Sequence, residues 1–362
     1  MKPRRLVIFS SLPEVGGHTT TTLKLCELLR PQFEEIRLFV KDIPGHGFSR
    51  AAHDELVAGN VSLHRLAGKN LVPCLPDVLS CRKADVFLAI GMRHLSPALA
   101  LLVGARQSIY YHITHELSPA ILRQLRIYKR FFSQLVFLSP ATARWYAESA
   151  GQTHPFAWAV QPTALAMEPG PLPDRMPGPI RFGMLGRLTE EKGVGFLTGL
   201  VKASRFPCTL HVAGRGPDES EVRRLQASQP DRFVFRGAYS PKERPSFLKQ
   251  FFSEIDILCV PSLDDREGIP NVILEALQFG VPVLATNTGG MRSFAMRELG
   301  PAEPDVVRLV EPAEYAAAFD ALLQAPLPSI ATRESCRKYF EETFSDQVLD
   351  VQWRRILAAS VR

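Results

Sequence analysis

Ile180-Arg181-Phe182-Gly183-Met184-Leu185-Gly186-Arg187-Leu188-Thr189-Glu190-Glu191-Lys192-Gly193 reads as a short buried strand, a glycine-and-cation loop and the opening of a helix over 193–204. The order matters chemically. Backbone N–H groups and the dipole at the start of such a helix can face an anion, and here two fixed cations lie in the same loop. Arg187 brings a planar bidentate fork and Lys192 a point charge, a pair suited to a diphosphate. Taken alone, the loop reads more readily as a surface turn whose cations pair with Glu190 and Glu191.

The pattern repeats on both sides of this stretch. C-terminal to it, strand-like runs at Thr209–Ala213, Phe233–Phe235, Ile257–Val260 and Val281–Ala285 alternate with helical patterns over 218–228, 241–252 and 271–279. N-terminal to it, six prolines (162, 169, 171, 173, 177 and 179) fall within 18 residues, which excludes helix and central strand and marks a linker over 166–179. Before the linker come Leu6–Ser11, a Gly16-Gly17 loop and a helical pattern over Thr20–Leu29, then strand-like runs at Ile36–Val40, Val61–Leu63, Val86–Ile90, Ser108–Ile113 and Gln134–Leu138. Strand–helix alternation implies mainly parallel sheets. The expected fold class is α/β, with two Rossmann-like doubly wound domains, 1–165 and 180–343, facing across a cleft. Ligands of such sheets sit beyond the carboxyl ends of the strands, so function belongs in the loops that follow them.

Composition agrees with two ordinary folded domains. The 362 residues suffice for two cores, and 46% hydrophobic with 22% charged residues excludes a disordered or fibrous chain. The N-terminus, Met-Lys-Pro-Arg-Arg followed by Leu6–Ser11, is too short an apolar run for a signal peptide or a span, so a cytoplasmic location is expected. The six cysteines form no C-x-x-C pair and have no nearby histidine partners, which argues against a disulfide framework and against zinc and leaves them as reduced core residues. Residues 1–175 carry 20 Lys/Arg against 13 Asp/Glu, whereas the remainder carries 23 against 24. The whole positive excess therefore lies in the first half, which suits an anionic partner there or serves solubility.

A second constellation is Glu267-Gly268-Ile269-Pro270-Asn271-Val272-Ile273-Leu274-Glu275. It puts one carboxylate in a loop and another on the following helix about a turn from its start. Carboxylates accept hydrogen bonds from adjacent hydroxyls, which suits a ribose and a sugar ring. The apolar neighbours Leu274, Ala276 and Leu277 make Glu275 an unusual member of a solvated helix face. G-x-G-x-x-G is absent after the first strand, as is G-x-x-x-x-G-K-[ST], so dinucleotide-dependent oxidoreductases and P-loop NTPases are excluded.

The segments G-R-L-T-E-E-K-G, V-A-G-R-G-P and E-G-I-P-N-V-I-L-E-A-L-Q-F-G-V-P-V-L-A-T-N-T-G-G, with the N-terminal V-G-G-H loop, closely resemble the GT4 family of GT-B glycosyltransferases (glycosyl transferases group 1). The resemblance extends over nearly the whole length. It implies a retaining, metal-independent transfer of a sugar from a nucleotide diphosphate sugar to a cell-envelope glycan or glycolipid, such as lipopolysaccharide or capsular or exopolysaccharide. The donor is a substrate; no cofactor is implied, no metal site and no nucleic-acid partner. On this resemblance Arg187 and Lys192 grip the donor diphosphate, Glu275 holds the ribose hydroxyls and Glu267 contacts the transferred sugar, with Gly268, Ile269, Asn271 and Val272 near by as backbone donors. Gly16, Gly17 and Gly214 line the donor, and His18 reaches the acceptor side. His115, after the Ser108–Ile113 strand, matches the family's histidine near the transferred sugar, with His112 within the strand as the competing candidate. The resemblance also implies that the helical segment 344–362 crosses back onto the first domain. The remaining alternatives are a GT-B nucleotide-sugar epimerase or hydrolase and a non-catalytic sugar-nucleotide-binding module.

Two features depart from the family pattern or add to it. After Thr288-Gly289-Gly290 the family usually carries a glutamate, and here Met291-Arg292-Ser293 stands instead. Residues 119–132 place Arg123, Arg126, Lys129 and Arg130 on one side of an amphipathic helix, which suits either an ordinary Rossmann helix or peripheral contact with the anionic inner face of the plasma membrane.

Overall fold

Apolar runs bounded by turn residues become strands, and every strand pair is parallel. The computed structural model describes residues 4–11, 17–41, 59–66, 75–91, 96–116, 118–150, 156–160, 178–239 and 243–359. The chain divides into two units: Met1–Ala164 together with Ser345–Arg362, and Leu165–Phe344. Of the proposed linker, only residues 178 and 179 fall among those described.

In the first unit, β1 (Arg5–Ser11), β2 (Glu35–Lys41), β3 (Val61–Leu66), β4 (Val86–Ile90), β5 (Gln107–His112), β6 (Gln134–Phe137) and β7 (Phe156–Trp158) form one sheet in the order β3-β2-β1-β4-β5-β6-β7. Between them run α1 (Gly17–Leu29), α2 (Leu75–Ser80), α3 (Ser96–Val103), α4 (Pro119–Tyr128) and α5 (Pro140–Ala150). A parallel sheet is covered on both faces, and the strands show it: all five residues of β4 are buried. Leu6, Ile8, Leu88 and Tyr111 pack into one core, while their alternates Val7, Phe9, Phe87 and Tyr110 pack into another.

The second unit repeats the plan with β8 (Ile180–Arg187), β9 (Cys208–Arg215), β10 (Phe233–Gly237), β11 (Ile257–Val260), β12 (Val283–Thr286) and β13 (Val307–Val310), ordered β10-β9-β8-β11-β12-β13. Its helices are α6 (Val194–Ala203), α7 (Glu219–Ser228), α8 (Arg244–Glu254), α9 (Asn271–Gln278), α10 (Tyr315–Leu323) and α11 (Ile330–Phe344). Strand order reverses at β8, whose neighbours are β9 and β11. The connections leaving β8 and β11 therefore part to opposite sides and open a crevice at their carboxyl ends.

The final helix, α12 (Asp346–Ala359), belongs to the first unit. It contributes Trp353, Ile356 and Leu357 to the core that holds Tyr111, and the Trp353 ring meets Tyr111 edge-on with centroids 5.4 Å apart. Gln32 Nε2 donates to Asp350 Oδ1 at 2.7 Å, a second tie between α12 and the body of the unit.

The strand and helix boundaries depart from the sequence reading for local reasons. Pro282 has no N–H for the ladder, so β12 begins at Val283 rather than Val281. Pro245 sits in the first turn of α8, the one place in a helix where it costs nothing, and the helix starts at Arg244 rather than 241. Cys26, Cys81, Cys208, Cys259 and Cys336 are free and buried, and Cys74 lies outside the described residues.

The basic amphipathic stretch is resolved into an ordinary Rossmann helix. Ser118 caps α4 by accepting the Ile121 N–H, and Ile121, Leu125, Tyr128 and the following Phe132 are buried in the first unit's core. Leu122 and Phe131 pack against that core, while Arg123, Arg126 and Arg130 are exposed. The apolar face is thus already used, which leaves charge as the means by which α4 could meet an anionic surface. Among the described residues no helix is long and apolar enough to cross a membrane.

Trp353→Ala removes one of the largest fully buried side chains of the first unit. It is expected to cost about 3–5 kcal/mol, read as a lowered urea midpoint with an unchanged slope for that unit's transition.

Candidate functional site

The site grows from the crevice between β8 and β11. A single turn, Glu190–Lys192, follows β8, and Gly193 ends it at φ +74° before α6 begins. A Cβ at Gly193 would lie 2.5 Å from the Pro261 carbonyl oxygen, so only glycine lets the two loops come this close. Leu263 N then donates to Glu191 O at 2.9 Å and stitches the post-β11 loop to the post-β8 loop.

This stitching brings Lys192 Nζ onto Glu267 Oε1 across 75 residues of sequence. Both side chains are largely buried, Lys192 at 19% exposure and Glu267 at 14%. The second carboxylate oxygen, Glu267 Oε2, is enclosed with no hydrogen-bond partner. A buried carboxylate oxygen lacking a donor is costly, and a ligand hydroxyl would satisfy it. Arg187 lies beside this pair in sequence but not in character: it is 68% exposed, and Nη1 stands 3.5 Å from Glu191 Oε1. The expected pairing of the loop's cations with its own glutamates therefore holds for Arg187 and fails for Lys192.

Gly214, next to last in β9, stands directly opposite Gly186 of β8, with φ +138° and room for no Cβ, which would fall 1.7 Å from the Gly186 carbonyl oxygen. The two strand ends are closed tightly against one another, and Leu188 N continues the lacing by donating to Arg215 O at 2.9 Å.

Gly268 and Ile269 continue the Glu267 loop, Ile269 fully buried, and Asn271 and Val272 form the first turn of α9. The segment that departs from the family pattern is tied to this loop. Gly290 N donates to Glu267 O at 2.8 Å and Gly289 N to Asp265 Oδ1 at 3.0 Å, while Arg292 pairs with Asp265 at 3.3 Å. The Gly289-Gly290 backbone thus lies against the Glu267 loop, and Arg292 from the segment that follows adds a side-chain tie.

Glu275 occupies the second turn of α9 and is 1% exposed, so it belongs to no solvated helix face. Its Oε1 receives Nη2 of Arg244, the first residue of α8. Burial pushes the Glu275 carboxyl above its usual range, and the Arg244 guanidinium pulls the other way. Arg244 is a site residue that sequence reasoning missed, because nothing local to it signals a partner 31 residues on.

In the first unit, both candidate histidines are buried at the carboxyl end of β5. His112 is its last residue, with Nε2 3.1 Å from Glu116 O and 3.3 Å from Thr114 Oγ1. His115 follows it, with Nδ1 2.7 Å from Thr142 Oγ1 and its ring 5.0 Å from that of Trp145. Gly17 and His18 open α1, the His18 side chain lies outside what is described, and so does Gly16. Among the described residues no three His, Cys, Asp or Glu side chains are grouped to hold a metal ion.

A doubly wound parallel sheet with paired charges at its switch point is the architecture of a nucleotide-binding unit. Residues 179–325 match the family described as Glycosyl transferases group 1. The chain is 27% identical over 329 residues to the GDP-mannose-dependent alpha-mannosyltransferase of Mycobacterium tuberculosis, a match covering 80% of each chain. It is 25% identical to the amylovoran biosynthesis glycosyltransferase AmsK of Erwinia amylovora, where the match spans 60% of this chain and 58% of that relative's length. Among solved structures, Anabaena HepE in complex with UDP and glucose superposes with a TM-score of 0.72 at 15% identity, covering 98% of this chain and 100% of HepE, which shows the GT-B fold.

Gly193→Ala tests the stitching. It forces both a left-handed backbone on alanine and an overlap with Pro261, and should cost at least about 2 kcal/mol of stability in the second unit. A thermal melt checks it, and an alanine variant as stable as the parent would show that the two loops do not need this contact.

Proposed function

We propose that this protein is a retaining, metal-independent glycosyltransferase of the GT4 type, moving a sugar from a nucleotide diphosphate sugar to a glycan or glycolipid of the cell envelope. The observation that carries the reading is the Lys192–Glu267 pair at the switch point, with one carboxylate oxygen enclosed and lacking a donor. It offers a cation for phosphate and an acceptor for a sugar hydroxyl in one place.

Each residue then has a physical task. As the bond between the sugar's anomeric carbon and the diphosphate oxygen breaks, negative charge builds on the leaving group, and Lys192 and Arg187 meet it. Arg187 is free to turn, since an exposed ion pair such as its contact with Glu191 is worth only about 0–1 kcal/mol. Glu267 Oε2 accepts a hydroxyl of the transferred sugar, and Glu275 accepts the ribose hydroxyls. The acceptor oxygen attacks from the face the diphosphate leaves and passes its proton to the departing phosphate oxygen, so the anomeric configuration is kept and no protein nucleophile is needed. His115 is assigned to the transferred sugar on the family resemblance.

The names of the relatives support a cell-envelope acceptor: one acts in amylovoran biosynthesis, and a lipopolysaccharide outer core galactosyltransferase shares the fold. One relative is named as GDP-mannose-dependent and one structural neighbour is solved with UDP, which supports guanine and uracil as the bases to try first. The positive excess of residues 1–175 and the exposed Arg123, Arg126 and Arg130 of α4 suit an anionic acceptor or the membrane face that carries it.

Thermal-shift titration with UDP, GDP, ADP and their sugar conjugates is expected to show stabilisation by one base series, equal with and without EDTA. Lys192→Ala should abolish the shift. Glu267→Gln should keep nucleotide binding and lower transfer by about 100-fold, measured as released nucleoside diphosphate. Stabilisation that vanishes with EDTA would overturn metal independence, and turnover that yields free sugar alone would point to a hydrolase.

A further inference from the structure

Glu275 is the most deeply enclosed carboxylate of the candidate site, 1% exposed and flanked by the buried Leu274 and Ala276. A carboxylate so placed keeps its charge only beside a cation. Arg244 supplies it from a different helix. Three buried residues, Leu248, Phe251 and Phe252, seat α8, and Pro245 fixes the backbone beside Arg244 at the helix start. Its side chain is 19% exposed against 1% for Glu275, so Arg244 is the more exposed member of the pair. The contact between them runs from Nη2 to Oε1.

The surroundings narrow what else acts on Glu275. Tyr239, on the connection from β10 to α8, lies in the field of both Arg244 and Glu275 and stacks on Phe247 with ring centroids 4.5 Å apart. Helix α11, which packs against α9, carries Arg333 and Arg337; Arg333 donates to the Ile255 carbonyl at 3.2 Å. The charge acting on Glu275 is that of Arg244.

We propose that Arg244 is a positioning residue for donor binding: it fixes the Glu275 carboxylate as an anion that accepts the cis hydroxyl pair of the donor's ribose. The proposal rests on the donor reading given above and extends it to a residue outside the motifs that define the family resemblance. Without Arg244, an unpaired carboxylate in apolar surroundings holds its proton to higher pH, and a protonated Glu275 is a poorer partner for two hydroxyl donors. Ribose recognition then becomes pH-dependent, weak at low pH and recovering as the pH rises.

Calorimetric titration with UDP, GDP and ADP, and with the 2′-deoxy form of whichever binds tightest, tests this between about pH 5.5 and 8.5. The parent protein should bind with an affinity that varies little over that window and should lose affinity for the 2′-deoxy form. Arg244→Met should bind the ribonucleotide about tenfold more weakly at the acid end, lose its preference for ribose there, and approach the parent as pH rises. Arg244→Lys should restore the flat profile. Arg244→Met/Glu275→Gln, which carries no lone buried charge, should fold and bind weakly at every pH. If Arg244→Met does not fold, Arg244→Gln, a donor without charge, takes its place. Parent-like or tighter binding by the uncharged variant, or a loss equal at all pH values that lysine does not restore, overturns the proposal. A parent that binds none of the three nucleotides overturns the donor reading itself, a result distinct from a parent that binds and variants that behave like it.

Discussion

The second unit depends on two loops that topology drives apart and one glycine brings together. Order reversal at β8 sends the connections after β8 and β11 to opposite sides of the sheet, and the crevice between them would otherwise fill with water. Gly193 lets the backbones touch, and Lys192 and Glu267 meet across the seam. A largely buried ion pair gains little stability by itself, because desolvation offsets most of the Coulomb attraction. Its worth here lies in what it leaves undone. One oxygen of Glu267 is enclosed without a donor, so the pair is fully satisfied only when something else is bound.

A second carboxylate–cation pair lies at greater depth. Glu275 also gives one oxygen to a cation, Arg244, and is nearly inaccessible where Glu267 is 14% exposed. Four separate segments supply the two pairs: the turn after β8, the loop after β11, the start of α8 and the second turn of α9. A carboxylate held by one cation remains an acceptor for hydroxyls, whereas a free carboxylate in apolar surroundings would tend to protonate and a doubly engaged one would have nothing left to offer. Two carboxylates in one unit, each held by a cation, are a sensible way to read a ligand rich in hydroxyls.

Much of this was legible in the chain because parallel strands are buried on both faces and therefore read as short continuous apolar runs. Val86–Ile90 and Ile257–Val260 coincide with β4 and β11 for that reason. Strand β7, three residues long, and β13, with three of its four residues only half buried, carry too little of that signal and were not anticipated. The candidate site was legible by residue type and not by partner. Lys192 lies next to two glutamates in sequence and pairs with neither, since its partner is chosen by the sheet order. The amphipathic pattern of α4 is the same whether its apolar side meets a core or a lipid surface, and only packing of Ile121, Leu125 and Tyr128 into the first unit decides between them.

Charge distribution separates the two units in kind. Residues 176–362 are almost neutral, with 23 cationic against 24 anionic side chains, so a diphosphate gains little there from any overall field. Attraction must come from individually placed cations. Salt then acts unequally on them: an exposed group such as Arg187 is screened within a Debye length of about 8–10 Å, while the largely buried Lys192 is screened far less. On the proposed donor reading, Lys192 is accordingly the cation whose attraction persists at physiological ionic strength, and Arg187 the one that adds to it when the ligand has already excluded water from the loop. The excess positive charge of residues 1–175 acts over longer distance, and its field would bear on the approach of an anionic partner rather than on its final placement. On that reading placement falls to the stitched loops of the second unit, where Lys192 is held by Glu267 and Arg187 stands beside Glu191.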